Sequence, residues 1–352
     1  MKKLKYGIVG CGLIADWHLN SVRVIEKDLP VELYAVTDSN PARAKEYALK
    51  HGLVAFDTLD ELLNTDVDII SICTPSGTHA QIAVEAANHK KHIVVEKPMA
   101  ITEEQLDSVV EACDRNNVKL GSISQMRYYN SVKKTREAVQ NGTLGRMVSG
   151  DVYMKHFRSQ EYYDKGGWRG TKAMDGGGAL MNQGIHGIDI LQYIMGPIKT
   201  VYAKAKTLAR KIEVEDTLAA VVEYENGALG VVQATTSVFP GYSKRFSFHG
   251  DKGSVRLEES CMTEWTVDGV GLPEDLQLEK AEHSSASTPN SIKPDGHIAQ
   301  IRDLVECVLY DKKPLIDCRE GRRAVDVILA IYASAETGKE INIKEFTAHR
   351  PI

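Results

Sequence analysis

The chain has 352 residues, a formal net charge of −5, 43% hydrophobic and 26% charged residues. That length exceeds what one core organises and predicts two domains, and the composition is that of a globular protein. Scattered lysines and arginines under a net negative charge exclude nucleic acid as the main partner. No apolar run approaches the ~20 residues that cross a bilayer. The start, Met1-Lys2-Lys3-Leu4-Lys5-Tyr6, passes directly into a strand pattern with no signal-peptide core, so a cytoplasmic protein without membrane partners is expected. Cys11, Cys73, Cys113, Cys261, Cys307 and Cys318 show no metal-ligand spacing. They read as reduced thiols filling apolar space, and no metal site is expected.

The first third alternates strands and helices. Tyr6-Gly7-Ile8-Val9 predicts a strand, Leu13 to Ile25 a helix, Glu32 to Thr37 a second strand, and Pro41 the first turn of a second helix. Thr58-Leu59-Asp60-Glu61 has the spacing of a capping box. Val67 to Ile72 and Ile93-Val94-Val95 are almost wholly apolar, as strands covered on both faces are. A helix through Ala80 to Ala87 separates them, Thr102 caps another, and Lys119 to Ile123 closes the series. Such alternation predicts a doubly wound parallel sheet, a Rossmann domain over residues 1–123.

Residues 124–352 read as an α+β domain on a large, mostly antiparallel open sheet. Met147 to Met154 predicts a long strand. Thr217 to Tyr224 and Ala228 to Thr235 flank the hairpin signal Asn226-Gly227, and Phe246-Ser247-Phe248 with Ser254 to Leu257 flanks a second turn. Helices are expected over Gly178–Met195, His297–Tyr310 and Glu320–Ser334, and the Ser-, Pro- and Asn-rich segment 282–296 is expected to be a surface loop.

Gly10-Cys11-Gly12-Leu13-Ile14-Ala15 lies between the first strand and the first helix. Gly10 allows a tight turn, Gly12 lets backbone approach a pyrophosphate, and Ala15 takes the small third position. The helix N-terminus, at Leu13 and Ile14, then offers free N–H groups to the anion. Asp38 closes the second strand at the distance, ~20 residues on, where a carboxylate holds the adenosine ribose hydroxyls and repels a 2′-phosphate. The expected cofactor is NAD rather than NADP, although Arg43 stands near.

Ligands of such a sheet collect beyond the carboxyl ends of its strands, where Thr74, Pro75, Glu96, Lys97 and Pro98 fall. A lysine held beside a proline at a strand end is therefore a candidate group near the nicotinamide. On the helix over Gly178–Met195, Asn182, His186 and Asp189 stand at i, i+4 and i+7 and would share one polar face. Lys155-His156-Phe157-Arg158-Ser159-Gln160-Glu161-Tyr162-Tyr163 combines rings and charges suited to a sugar. Arg127 and Tyr128 follow the last Rossmann strand, Trp17 and His18 follow the dinucleotide turn, and His297 opens a late helix.

Together, the GxGxxA turn, Thr74-Pro75 with His79, Glu96-Lys97-Pro98, Trp168-Arg169-Gly170 and Gly177-Gly178 leading to Gln183-Gly184-Ile185-His186 and Asp189 resemble the glucose–fructose oxidoreductase / inositol dehydrogenase / MocA family. The resemblance covers essentially the whole chain. It implies an NAD(P)-dependent dehydrogenase acting on a secondary alcohol of a sugar, cyclitol or related compound. It also implies Lys97 and His186 facing the substrate, and Trp168 and Arg169 near the nicotinamide. Many inositol-type members carry aspartate four residues before the histidine, whereas Asn182 stands here. That departure weakens inositol as substrate, resembles nucleotide-sugar 3-dehydrogenases, and leaves open whether Asp189 orients the imidazole.

The expected chemistry is removal of a hydroxyl proton by His186, with Lys97 holding the hydroxyl and stabilising the developing alkoxide; the two roles can be exchanged. Glu96 and His79 are expected at the cofactor, and Arg127, Tyr128, Lys155, Arg158, Tyr163 and Asn182 at the substrate. Two alternatives share the fold: a dinucleotide sensor without turnover, and a glycoside-cleaving enzyme whose NAD is reduced and reoxidised within one cycle. Members of the family bury the open sheet face against a second subunit, which implies a homodimer or homotetramer.

Overall fold

The computed structural model describes residues 3–165, 167–279 and 294–348. The chain divides into two compact units, one of Met1–Gln125 with Pro294–Arg322, the other of Met126–Lys293 with Arg323–Ile352.

In chain order the first stretch comprises β1 (Leu4–Val9), α1 (Leu13–Ile25), β2 (Val31–Thr37), α2 (Pro41–His51), β3 (Val54–Phe56), α3 (Leu59–Leu63), β4 (Ile69–Ile72), α4 (His79–Asn88), β5 (His92–Val95), α5 (Glu103–Asn116) and β6 (Leu120–Ser122). All six strands pair in parallel in the order β3-β2-β1-β4-β5-β6. The order reverses between β1 and β4, which opens the crevice where dinucleotides bind. Pro41 opens α2 and Thr58 with Glu61 completes a capping box, as expected; in addition the Asn40 side chain accepts from the N–H groups of Ala42 and Arg43. Only β3 escapes the sequence pattern, because three residues are too few to show a period.

The chain continues with α6 (Asn130–Gln140), β7 (Met147–Lys155), α7 (Gln160–Asp164), α8 (Lys172–Asp175), a π-helical turn (Ala179–Gly184), α9 (Ile185–Met195), β8 (Ile198–Lys206), β9 (Thr217–Tyr224), β10 (Leu229–Thr235), β11 (Arg245–Gly250), β12 (Gly253–Glu258), β13 (Cys261–Val267), α10 (Asp295–Leu309), α11 (Cys318–Thr337), β14 (Ile341–Asn342) and α12 (Ile343–Phe346). Eight strands form one sheet in the order β13-β12-β11-β7-β10-β9-β8-β14, antiparallel except where β7 meets β10. Leu218, Ala220, Val222 and Tyr224 of β9 face the core that α9 helps to cover, while Val221, paired with Tyr202 and Val231, faces outward.

Two expectations change. Ile301, Leu304 and Val305 of α10 belong to the hydrophobic core of the Rossmann sheet, so 294–322 packs with the first unit rather than within 124–352. A boundary drawn where the strand–helix alternation stops cannot register a helix that returns later. The loop expected over 282–296 falls outside the described residues as far as 293, and Asp295 and Gly296 are already helical. Among the described residues no helix is long and apolar enough to cross a membrane.

Candidate active site

The dinucleotide turn forms as its glycines require. Gly10 has φ +93, and a Cβ there would lie 2.9 Å from the carbonyl oxygen of Cys73. Around Gly12, by contrast, nothing stands within 4 Å of a would-be Cβ. No side chain caps α1, and Leu13 on its first turn is 69% exposed. Open space, an uncapped helix start and an exposed leucine fit a pyrophosphate with an apolar flank. Asp38 is buried, and its carboxylate accepts from the N–H groups of Cys11 and Asn40, each at 2.8 Å. This holds it at the rim of the turn, with Arg43 Nε 3.6 Å away. Burial pushes the Cys11 thiol up to about 12 and Cys73 well above its usual range, and all six cysteines are free. A protonated buried thiol packs; it does not attack.

Lys97 follows β5 and is half-buried, joined to Pro98 by a cis peptide. Its neighbours make hydrogen bonds within the chain. The Glu96 carboxylate turns inward to His18 and His297. His79 is buried, with Nδ1 2.7 Å from the Pro98 carbonyl and Nε2 2.8 Å from that of Thr74, so it ties the two strand-end loops together. The Thr74 hydroxyl accepts from Thr78, and the Pro75 carbonyl caps the same threonine. His18, which follows the dinucleotide turn, is fully buried, whereas Trp17 is half-buried with its ring 5.8 Å from that of His297.

In the second unit His186 sits in the first turn of α9, half-buried. The run before it is π-helical rather than α-helical. The wider turn breaks the regular spacing between Asn182 and His186, so the expected single polar face is not continuous. Glu215 holds the start of this turn. Its carboxylate accepts from the N–H groups of Gly178 and Leu180 and from the Tyr332 hydroxyl, each at 2.9 Å. Burial raises its pKa against the opposing effect of those bonds.

Asp189 does not orient the imidazole. It lies buried against Arg127, with Nε 3.0 Å from both carboxylate oxygens and Nη2 2.6 Å from Oδ1. Both members are almost fully buried, so Arg127 is committed to this pair rather than to a substrate. Tyr128 is half-buried beneath the Lys133 ammonium.

Asn182 heads a different network. Its amide donates to Asp175 at 2.6 Å and accepts from Gln183 at 3.0 Å; Gln183 accepts in turn from Arg158 at 3.0 Å. Asp175 also accepts from the N–H of Gly170, fixing the Trp168-Arg169-Gly170 turn, in which the Arg169 guanidinium lies over the Trp168 and Tyr162 rings. The helix before His186, the Trp-Arg turn and the basic segment are therefore one connected structure. Lys155 ends β7 half-buried, with its ammonium near the Tyr153 ring. Tyr163, expected at the substrate, is buried with its hydroxyl on Thr236. His156 is buried; burial chiefly, then Lys244 and Arg158, holds its pKa well below the usual range against a smaller opposing effect of the Gln183 amide.

Asp175 and Glu215 were not among the expected site residues. Asp175 carries a local sign, an acidic residue directly before three glycines, while Glu215 has none because its partners lie 35 and 37 positions away.

Residues 4–123 match the oxidoreductase family with an NAD-binding Rossmann fold, and residues 132–256 match the GFO/IDH/MocA C-terminal domain. The WlbA dehydrogenase from Bordetella pertussis, solved in complex with NADH and UDP-GlcNAcA, is 32% identical with TM-score 0.87, covering 97% of this chain and 99% of that one. Myo-inositol 2-dehydrogenase of Thermotoga maritima is 25% identical over 97% of this chain and 99% of its own. D-glucoside 3-dehydrogenase of Escherichia coli is 27% identical over 97% of each. With matches across both parts, the chain belongs to the GFO/IDH/MocA family of NAD-dependent oxidoreductases.

Proposed function

We propose that this oxidoreductase acts on a nucleotide-linked sugar acid, interconverting a secondary hydroxyl at ring position 3 and the ketone. The observation that carries this reading is the likeness to the WlbA dehydrogenase, crystallised with NADH and UDP-GlcNAcA, across 97% of the chain. The glucoside 3-dehydrogenase likeness supports the ring position. Arg169, set over the Trp168 and Tyr162 rings, supplies cationic and apolar surface for an anionic sugar, and Gln183 and Asn182 link the buried Arg158 to the segment that carries His186.

Bound NAD supplies the hydride acceptor. Gly10, Gly12, Leu13 and Ile14 would hold its pyrophosphate and Asp38 its adenosine ribose. His186 takes the hydroxyl proton through an imidazole nitrogen, and Lys97 donates a hydrogen bond to the same oxygen as negative charge develops there. Trp168 and Arg169 border the nicotinamide end. The outward row of Tyr202, Val221 and Val231, with exposed Leu229 on the same sheet, serves as a homodimer or homotetramer interface, in the cytoplasm. Light scattering would return a strict monomer if that interface is wrong.

The test is NADH formation with UDP-GlcNAcA, myo-inositol and D-glucosides at matched concentrations. The reading predicts kcat/KM for the nucleotide sugar at least ~100-fold above the others, since a site built for a buried charge rejects neutral analogues. Equal or better turnover of myo-inositol contradicts it.

A further inference from the structure

Glu96, His18 and His297 form a cluster that the cofactor chemistry does not use. Their exposures are 6%, 0% and 2%, and they come from the end of β5, from α1 and from the start of α10. His18 Nε2 is 3.0 Å from Glu96 Oε1, and His297 Nε2 is 3.4 Å from the same oxygen. The other carboxylate oxygen accepts the main-chain N–H of Lys97 at 3.1 Å. A carboxylate can only accept, so His18 carries its proton on Nε2. Its Nδ1 then accepts from the Ser71 hydroxyl at 2.7 Å, which itself accepts from the Tyr6 hydroxyl at 2.5 Å. Every donor from β1 through β4 and α1 to Glu96 thus points one way.

Such a cluster is expensive for a fold. Replacing a buried ionic group by apolar residues of like size is often neutral or stabilising, so packing alone does not call for it. What it does achieve is to anchor the peptide of Lys97 to two helices, one of them opening at the dinucleotide turn. We propose that Glu96, held by His18 and His297, is a positioning residue that sets the main chain at Lys97 and through it the reach of the Lys97 amine. The proposal rests on the reading of Lys97 as the group that meets the substrate hydroxyl. The three side chains are also the one group among the described residues whose donor atoms, within 4.8 Å of one another, could hold a metal ion. The clamp needs none.

The experiment is steady-state kinetics on the full chain, with Glu96→Gln, His297→Leu and His297→Gln, each also combined with Lys97→Met. Misplacing a catalytic group by about an ångström costs on the order of 100-fold. Glu96→Gln and His297→Leu should therefore lower kcat between ~10- and ~100-fold while KM for NAD stays within ~2-fold. His297→Gln, which keeps an N–H donor, should recover kcat to within ~3-fold of wild type, and this pair reads the clamp even if Glu96→Gln does not fold. In the Lys97→Met background these substitutions should have no further effect, because the group they position is gone. Wild-type kcat in both Glu96→Gln and His297→Leu, or an equal loss with and without Lys97, overturns the clamp alone. Wild-type kcat in Lys97→Met overturns the reading beneath it as well. One equivalent of zinc in the purified protein, lost in His297→Gln, would replace the clamp with a metal centre.

Discussion

Two glycine-rich turns lead into helices in this protein, and they are built for opposite purposes. Gly10-Cys11-Gly12 opens α1 with no capping side chain and with empty space beside Gly12. Gly176-Gly177-Gly178 opens the π-helical turn before His186, and there the protein fills the place itself. A Cβ on Gly178 would lie 1.7 Å from the Glu215 carbonyl oxygen, and one on Gly177 would lie 2.3 Å from the Tyr332 hydroxyl. The first leaves its amides for a ligand; the second spends them on a carboxylate of its own. Glycine at a helix entry thus signals close approach of something, and only the surroundings say whether that something is cofactor or chain.

The sharpest way to break the comparison is to add one methyl group to each turn. Gly178→Ala should cost about 3 kcal/mol or more, because the obstruction is backbone and cannot swing aside; thermal unfolding will register it. Gly12→Ala should leave the melting temperature of the apo protein within ~2 °C and weaken NADH binding by ~10-fold or more, read by fluorescence titration. If Gly12→Ala destabilises the fold as Gly178→Ala does, the two turns are not functionally distinct.

Asp38 sharpens the nucleotide side. Asp38→Ala removes the acceptor of two backbone N–H groups and the repulsion of a 2′-phosphate. The ratio of kcat/KM for NAD over NADP should fall by roughly 10-fold, with Arg43 released to meet the phosphate. An unchanged ratio would separate cofactor choice from this carboxylate.

The smallest effect concerns pH and involves both units. His18 and His79 in the first and His156 in the second have pKa values below the ordinary 6.5, burial being the main cause in each. Below about that pH the unfolded chain binds protons that the folded one refuses, so stability present above it declines as pH falls. The depressed Glu96 carboxyl, where the His18 and His297 bonds outweigh burial, adds loss of the same sign at lower pH. The urea midpoint should therefore drop between pH 7 and pH 5, and His156→Gln should flatten that slope. A midpoint that rises on acidification contradicts the burial of neutral imidazoles.

What the sequence alone discloses follows from how far each interaction reaches. The dinucleotide turn, the helix opening at Pro41, the Thr58 capping box and the Asn226-Gly227 hairpin depend on neighbours a few residues away, and all form as read. The errors lie where a charged side chain finds a distant partner. Asp189 meets Arg127 across 62 positions, which removes both from the roles expected of them. Glu96 meets His18 across 78, and Glu215 takes the N–H of Gly178, ahead of a π turn where an α-helix is expected, from 37 positions away. Helical periodicity shows which residues share a face; it does not show which of them a buried countercharge will claim.

In the proposed mechanism Lys97 and His186 perform the proton chemistry of hydride transfer. Lys97→Met and His186→Ala, assayed for kcat alongside an NADH binding isotherm, test it most directly. Each substitution should lower kcat by ~100-fold or more, with NADH affinity within ~3-fold of wild type. Unimpaired turnover in both variants would contradict it.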